Sequence, residues 1–347
     1  MFPFRDSLMK ALLALFIILL VGSALAQEKS LIVGEIEFFG YAGLDLQRIK
    51  AALPLREGDT IAVQDSPAIR EKINQSVKRA TDRDATDVAF ACCDDRGNLM
   101  IFVGLPGASN RPAKYNTTPK GSARLPRSIL DLYARAMDLN AEAVQKQPGE
   151  DRSNGYGLSA YIPMREVQLS LRRWALRNAR LIRQVLRSAA DQKERQAAAY
   201  ALGYAQKSRT QVSALVNASH DIDDPVRNNA VRALAVLTWS GDRVSAWIPA
   251  QDFARMLNSG VWADRNKAGA LLNALSRHRS PELLRIVRSE ALDSLLEMAH
   301  WRNRGHASDA MMILGRIAGI EEGRLEQLAA AGDVDTIAKA LKGKTVN

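Results

Sequence analysis

Four stretches of the sequence can be aligned with one another: ERQAAAYALGYA from Glu194, VRNNAVRALAVL from Val226, ADRNKAGALLNAL from Ala263 and GHASDAMMILGRI from Gly305. The aligned stretches share an arginine, an alanine and a leucine at fixed positions: Arg195, Arg227 and Arg265; Ala198, Ala230, Ala268 and Ala310; Leu202, Leu234, Leu272 and Leu314. The steps are 32, 38 and 42 residues. Such a period indicates one small helical unit that cannot bury its own apolar face and therefore stacks on its neighbours.

The first 26 residues have the composition of a secretory signal peptide. Arg5 and Lys10 precede an apolar run that ends in Ala24-Leu25-Ala26, so the pattern predicts cleavage before Gln27. The alternative is a retained inner-membrane anchor, although the 16 uncharged residues from Ala11 to Ala26 fall short of the roughly 20 that a span needs. We expect an exported protein, periplasmic or secreted.

The two cysteines, Cys92 and Cys93, are adjacent. Neighbouring side chains on a strand point to opposite faces, so a bond between them needs an unusual local geometry. We expect two small strand residues, one of them buried, with a redox-active pair as the alternative.

Residues 31–106 have the pattern of a small α+β domain in the order strand, helix, helix, strand, strand. The first strand alternates, with Ile32, Ile36 and Phe38 on one face and Glu35 and Glu37 on the other, which is typical of a half-buried strand. The last two strands are separated by DDRGN, which predicts a β-hairpin.

This order, together with the phrase IEFFGYAGLDLQRIKAALPLREGD from Ile36, resembles a POTRA domain. The resemblance implies an extracytoplasmic docking module, and some such modules bind partners by adding a strand to a sheet edge. The alternative is a small α+β domain that has no partner of its own.

Residues 107–127 are predicted to be a linker rich in Pro, Gly and Ser. Five basic residues and no acidic one lie between Arg111 and Arg127. We expect a solvated, extended tether, with attraction to an anionic surface as the alternative. Residues 128–345 are predicted to be helical, and the repeats are clearest over 165–340.

A stripe of arginines marks the first long helix of this region, MREVQLSLRRWALRNARLIRQVLRSAA from Met164. Helical spacing places four of them on a common face, and they are the candidate residues for binding an anion or a partner: Arg173, Arg177, Arg180 and Arg187. The alternative is a solvated face whose arginines pair with carboxylates of neighbouring repeats.

The repeat units resemble HEAT repeats, most closely in SALVNASHDIDDPVRNNAVRALAVL from Ser213. The resemblance implies pairs of antiparallel helices, with an Asp before the first helix and an Arg inside it that pair between units. Asp224 and Arg227, and Asp264 and Arg265, fit these structural positions, and Asp224 with Pro225 is expected to begin a helix as its cap. The last unit has Ala307 in place of the arginine.

No motif for catalysis or for binding a cofactor or metal is present in the sequence. The four histidines lack metal-ligand spacing, and no nucleophile elbow or P-loop occurs. We therefore expect no catalytic residue, no cofactor and no metal.

The predicted fold is a POTRA-like β-α-α-β-β domain followed by an all-α, HEAT-type α-solenoid. The predicted function is a non-enzymatic adaptor whose concave face binds a protein that the sequence does not identify. One alternative is binding to an anionic membrane surface or to nucleic acid through residues 165–187, although export argues against nucleic acid. Another is an enzyme similar to HEAT-like lyases of pigment proteins.

The signal-peptide interpretation leads to a direct test. We expect the protein isolated from its native host to begin at Gln27, because the charged start, the apolar core and the A-x-A exit occur together. Intact-mass measurement checks this. A mass that includes Met1 would contradict cleavage and favour the anchored form.

Overall fold

The computed structural model describes residues 30–146 and 149–343. The predicted signal peptide lies outside the described residues. The N-terminal domain consists of four strands and two helices: β1 (Ser30–Phe39), α1 (Leu46–Ala52), β2 (Thr60–Ala62), α2 (Ser66–Thr81), β3 (Asp87–Cys92) and β4 (Leu99–Gly104). Their order in the sheet is β2-β1-β4-β3, in which β1 and β4 run parallel and the other neighbours run antiparallel.

The two helices cover one face of this sheet. Ile49 of α1 and Ile73 of α2 pack against Ile36 and Phe38 of β1 and against the facing residues of β4. The sequence prediction that Ile32 shares this face is wrong, because the register of β1 shifts between Val33 and Glu35. Ile32 is 49% exposed, and Val33 takes the buried place.

The rest of the described chain is almost entirely helical. A long segment leads from β4 to α3 (Arg127–Lys146), which is followed by a short hairpin of β5 (Glu150–Asp151) and β6 (Leu158–Ser159). The remaining helices are α4 (Ile162–Ser188), α5 (Gln192–Leu202), α6 (Arg209–Ala218), α7 (Asp224–Trp239), α8 (Ala250–Met256), α9 (Trp262–Ser276), α10 (Pro281–Ala299), α11 (Arg304–Ala318), α12 (Glu322–Ala331) and α13 (Val334–Gly343).

These helices form two rows, as expected for a helical repeat α-solenoid. Helices α5, α7, α9, α11 and α13 pack side by side in what we call the A row. Helices α4, α6, α8, α10 and α12 pack against them in the B row. The alanines and leucines that recur in the sequence are fully buried in the A row: Ala198, Ala230, Ala268, Ala310, Leu202, Leu234, Leu272 and Leu314. Small alanines let adjacent helices approach closely, and the leucines fill the seam between them.

A buried arginine links each of the first three A-row helices to the next unit. Arg195 forms a bidentate ion pair with Asp221 at 2.8 and 2.9 Å. Arg227 forms the equivalent pair with Asp264 at 2.9 and 3.0 Å, and Arg265 contacts Glu297 at 3.1 Å. We call these three pairs the arginine ladder.

Each ladder arginine also donates to carbonyl groups of the turn that precedes its own helix. Arg195 donates to the carbonyls of residues 189 and 190, Arg227 to those of residues 221 and 222, and Arg265 to that of Ser259. One guanidinium thus joins a turn, its helix and the following unit. This multiple use of its donors suits the planar fork of arginine.

The second face of the N-terminal sheet packs against the solenoid. Phe102 stacks on Trp262 of α9, with ring centroids 4.7 Å apart, and lies edge-on to Trp301 at 5.1 Å. Glu37 is buried and pairs with Arg302. The prediction of a half-buried strand is therefore wrong, because the face that carries Glu35 and Glu37 is covered by another part of the chain.

Glu297 is the central contact between the two parts of the molecule. Its carboxylate accepts backbone N–H groups of Gly40 at 2.7 Å, Tyr41 at 2.9 Å and Ala42 at 3.1 Å, in addition to pairing with Arg265. Burial lowers the pKa of Arg265 to about 10, an effect that Glu297 opposes. The last step of the arginine ladder is therefore also the site where the N-terminal domain is attached.

The predicted linker is an ordered strap over residues 109–125. Its backbone N–H groups donate to solenoid carbonyls, as at Asn116 to His220 (2.7 Å) and at Gly121 to Ser188 (2.7 Å). Its Tyr115 ring lies 4.1 Å from the Arg227 guanidinium. The strap is solvent-exposed over most of residues 111–120, as expected, but it is not a free tether, because its backbone groups bond to the ends of the helix pairs.

The two adjacent cysteines lie at the end of β3. The Sγ atoms of Cys92 and Cys93 are bonded to each other and neither residue is buried, so the expectation of one buried thiol is wrong.

Over residues 30–146 and 149–343, no helix is both long enough and apolar enough to cross a membrane.

The buried leucines of the A row give a prediction for stability. Leu234→Ala should lower the free energy of unfolding by roughly 2 to 5 kcal/mol, because it leaves a cavity in a seam that cannot collapse. The same change at Leu176, which is 43% exposed on α4, should cost about 0.5 kcal/mol or less. Thermal and urea unfolding of both variants checks this. Equal losses would show that the leucine register does not define the seam.

Candidate functional site

A groove of about 520 Å³ lies along the A row, where α3 and the β5–β6 hairpin partly cover it. Its floor is formed by side chains of α5, α7 and α9: Tyr200, Asn228, Asn229, Arg232 and Lys267. Met137 and Asn140 of α3 form one wall, and Glu150 and Arg152 of the hairpin form another. The size lies in the range of ligand-binding pockets, about 300 to 1,000 Å³.

The groove is lined by repeat positions at which the units differ. Two residues after the repeated arginine, the aligned units have Ala197, Asn229, Lys267 and Asp309. Five residues after it, they have Tyr200, Arg232, Ala270 and Met312. The shared positions are buried in the seams, whereas four of these varied residues face the groove. The solenoid thus separates residues that hold the stack from residues available for recognition.

Arg232 attaches the hairpin to the A row. Its Nη2 donates to Glu150, which also accepts from Arg152 Nε at 2.7 Å. Although burial opposes ionisation, the two cations hold the pKa of Glu150 below its ordinary value. Arg232 is therefore not an ordinary surface residue, because β5 partly covers it and supplies a carboxylate.

Lys267 lies on the floor beside Arg232 and contributes a second cation. The pKa of Lys267 is lowered to about 8, mainly by loss of hydration and also by the charge of Arg232, while Asp309 acts in the opposite direction. Asp309 accepts from Asn273 at 2.6 Å, and burial raises its pKa. Burial also lowers the pKa of His306 to about 4, so this neighbour of Lys267 is neutral near pH 7.

Hydrogen bonds fix the walls of the groove. The Asn229 amide donates to Tyr133 Oη at 3.3 Å and to the carbonyl of Gln196 at 3.2 Å. Gln168 accepts the backbone N–H of Ser159 at 2.8 Å, which joins α4 to β6. Because these contacts tie the covering elements to the stack, the groove is a preformed feature.

The four candidate residues of the arginine stripe, Arg173, Arg177, Arg180 and Arg187, lie exposed on α4, away from the groove. The side chains are solvated, as the alternative expected, but none has an ion pair with a carboxylate of the described chain, so the expected pairing with neighbouring repeats is absent there. Arg180 and Arg187 border a second groove of about 680 Å³ with Thr210 and Ser213 of α6. The stripe is a solvated cationic surface.

The structural repeat positions agree with the expected pairing between units at Arg227 and Asp264 and differ from the expectation at the helix cap. Asp223 is the cap of α7 and accepts from Val226 N, whereas Asp224 is the first helical residue and is exposed. Arg227 pairs with Asp264, and Arg265 pairs with Glu297. The long side chain of Arg227 thus spans from the turn that precedes its own helix to a carboxylate of the next unit.

Asp221 and Glu297 were missed by sequence reasoning. Asp221 lies six residues before Arg227, just as Ser259 lies six residues before Arg265. This repeated spacing in the turns was a signal in the sequence that could have identified Asp221. Glu297 is a buried carboxylate late in α10, and no local sequence signal distinguishes it from the other glutamates of the helices. Only the docking of the N-terminal domain gives that carboxylate its partners.

The arrangement is suited to binding. Among residues 30–146 and 149–343, no group of three or more His, Cys, Asp or Glu side chains is placed to hold a metal ion. The groove has cations, amides and phenol groups over a fixed frame, which together can hold an extended polar ligand.

Comparisons with known proteins give no family for this chain. No protein-family model matches the chain, and no curated protein matches it. Among solved structures, 18 chains match. An engineered protein from a structural genomics consortium aligns with 15% identity over 63% of this chain and 91% of its own, at a TM-score of 0.38.

A designed armadillo repeat protein in complex with peptide (KR)4 aligns with 13% identity over 54% of this chain and 88% of its own, at a TM-score of 0.37. These scores support no statement about function. The assignment to a helical repeat α-solenoid depends on the two rows and the repeated buried positions.

Proposed function

We propose that this protein is a non-enzymatic, extracytoplasmic adaptor that binds an extended segment of a partner protein in the A-row groove. The observation that carries the proposal is the groove itself: a fixed channel over three successive repeat units, lined by the positions at which those units differ. Repeat proteins commonly place recognition on such extended surfaces.

The N-terminal domain is proposed to be a POTRA-like docking module. Support comes from the two helices that pack on one face of the sheet between β1 and the β3–β4 hairpin, and from the parallel pairing of β1 with β4. The short strand β2 (Thr60–Ala62) lies between the two helices and is an addition to the predicted strand–helix–helix–strand–strand order. One sheet face is covered by α1 and α2 and the other by the solenoid, so neither face is free. β3 pairs only with β4 within the described chain, which leaves its outer edge as the place where a partner strand would add.

The adaptor proposal is tested by photo-crosslinking in the native host. A benzophenone amino acid at Asn228, in the groove, should give a discrete crosslinked product in the cell-envelope fraction, because a bound segment passes within reach. The same amino acid at Arg285, which is exposed on α10, is the matched control. Identical products at both positions, or none at Asn228, would overturn the proposal.

A second candidate function is binding to an anionic lipid surface through the arginine stripe. It is favoured by the exposure of four arginines that have no carboxylate partner in the described chain. Guanidinium groups match phosphate oxygens well, and anionic headgroups attract such clusters.

Anionic liposomes distinguish the two candidates. If the stripe binds lipid, replacing Arg173, Arg177, Arg180 and Arg187 by Gln should abolish cosedimentation. The binding should also fall steeply with salt, since exposed charges are screened over about 10 Å at 0.1 M. The control is the same change at four exposed arginines elsewhere: Arg48, Arg96, Arg285 and Arg324. Equal loss in both variants, or no lipid binding by the wild type, would reject this function.

A further inference from the structure

Lys267 in the groove differs from the buried arginines of the stack, because it has no carboxylate partner among the described residues. The buried arginines of the stack all have carboxylate partners: Arg195 with Asp221, Arg227 with Asp264, Arg265 with Glu297 and Arg316 with Glu322. Lys267 has neither a hydrogen bond nor an ion pair with any residue of the described chain. A partly shielded ammonium without a partner has lost hydration and gained little in exchange.

Arg232 beside it is only partly used. Its Nη2 contacts Glu150, whereas its Nε and Nη1 have no acceptor among residues 30–146 and 149–343. Arginine has five N–H donors in a fixed fork, so a second acceptor can be accommodated. Lys267 and Arg232 border the same groove, and their mutual repulsion contributes to the lowered pKa of Lys267. An anion placed there would relieve that repulsion.

We propose that Lys267 and the free donors of Arg232 bind one carboxylate of the peptide segment that occupies the groove. This inference rests on the proposed function and names the chemistry of its ligand. The carboxylate belongs either to an acidic side chain or to the C-terminus of the segment.

A carboxylate fits better than a phosphate because of the charges already present. Glu150 pairs with Arg232, and the charge of Asp309 raises the pKa of Lys267. The single negative charge of a ligand carboxylate matches the single positive charge of Lys267, the groove cation that has no carboxylate partner in the described part of the chain. A phosphate dianion would place a second negative charge close to both Glu150 and Asp309, and like charges at short range oppose binding.

The remaining lining suits a peptide backbone. Asn140, on the α3 wall, and Asn228, on the floor, line the groove and have no hydrogen-bond partner within the described chain. An amide both donates and accepts, which matches the alternating N–H and C=O groups of an extended main chain. Met137 adds an exposed, adaptable apolar contact.

The test follows Lys267 directly by nuclear magnetic resonance of protein whose lysines carry isotope-labelled methyl groups, a modification that keeps their charge. The signal that Lys267→Arg removes is assigned to Lys267. Three probes are titrated: N-acetyl-Ser-Glu-Ser-amide, N-acetyl-Ser-Gln-Ser-amide, and N-acetyl-Ser-Gln-Ser with a free carboxylate. Inorganic phosphate is the fourth.

We expect the Lys267 signal to shift with a carboxylate-bearing peptide whose Kd is at least about tenfold lower than that of the neutral peptide. The probe that binds more tightly identifies the source of the carboxylate. Arg232→Gln should weaken binding by a similar factor, whereas Arg187→Gln, a change of the same kind on the stripe, should leave it unchanged. Thermal unfolding of both variants verifies that they are folded.

Three outcomes would overturn the inference: equal binding of the neutral peptide, phosphate binding as tight as that of the carboxylates, or no shift with any peptide. Each is distinct from failure of the adaptor proposal, which is judged by the crosslink at Asn228. A crosslink at Asn228 without carboxylate preference would leave a peptide-binding groove whose ligand is recognised by other groups.

Discussion

The pairing of a buried arginine with a carboxylate of the next repeat is the interaction on which the architecture depends. A guanidinium inside a helix stack is costly to desolvate unless its donors are satisfied. Arg227 meets this condition with two contacts to Asp264 and two to turn carbonyls. Burial disfavours its charged form, but Asp264 more than compensates and raises the pKa of Arg227. Removal of one partner would leave a buried charge uncompensated. The pair therefore fixes the relative position of the two adjacent repeat units.

The same interaction connects the other parts of the chain. The strap crosses the ends of the helix pairs, where Ser109 accepts from Arg265 and Tyr115 covers Arg227. The N-terminal domain contacts the ladder at Glu297 through three backbone N–H groups. The N-terminal domain, the strap and the solenoid look independent in the sequence, but all three contact the arginine ladder. This arrangement leaves the opposite side of the A row free to form the groove.

Stability and recognition use different residues of the same repeat. Ala230 and Leu234 are fully buried, and their counterparts in other units are identical in type. Asn229 and Arg232 lie on the same helix and differ from their counterparts. This division lets the groove vary while the stack is preserved, which is why a repeat fold by itself says little about its ligand.

The sequence by itself determined the repeats, the seam residues and the elements of the N-terminal domain except β2 (Thr60–Ala62), a three-residue strand too short to give a periodic signal. These depend on local periodicity, which the spacing of Ala198, Leu202 and their counterparts records directly. The tertiary structure alone decided the partner of each ladder arginine, the burial of Glu37 and the attachment of the strap. It also decided that Arg232 and Lys267 meet in one groove. Those features arise from contacts between residues far apart in the chain, such as Gly40 with Glu297, and no local pattern encodes which distant surface will cover a given face.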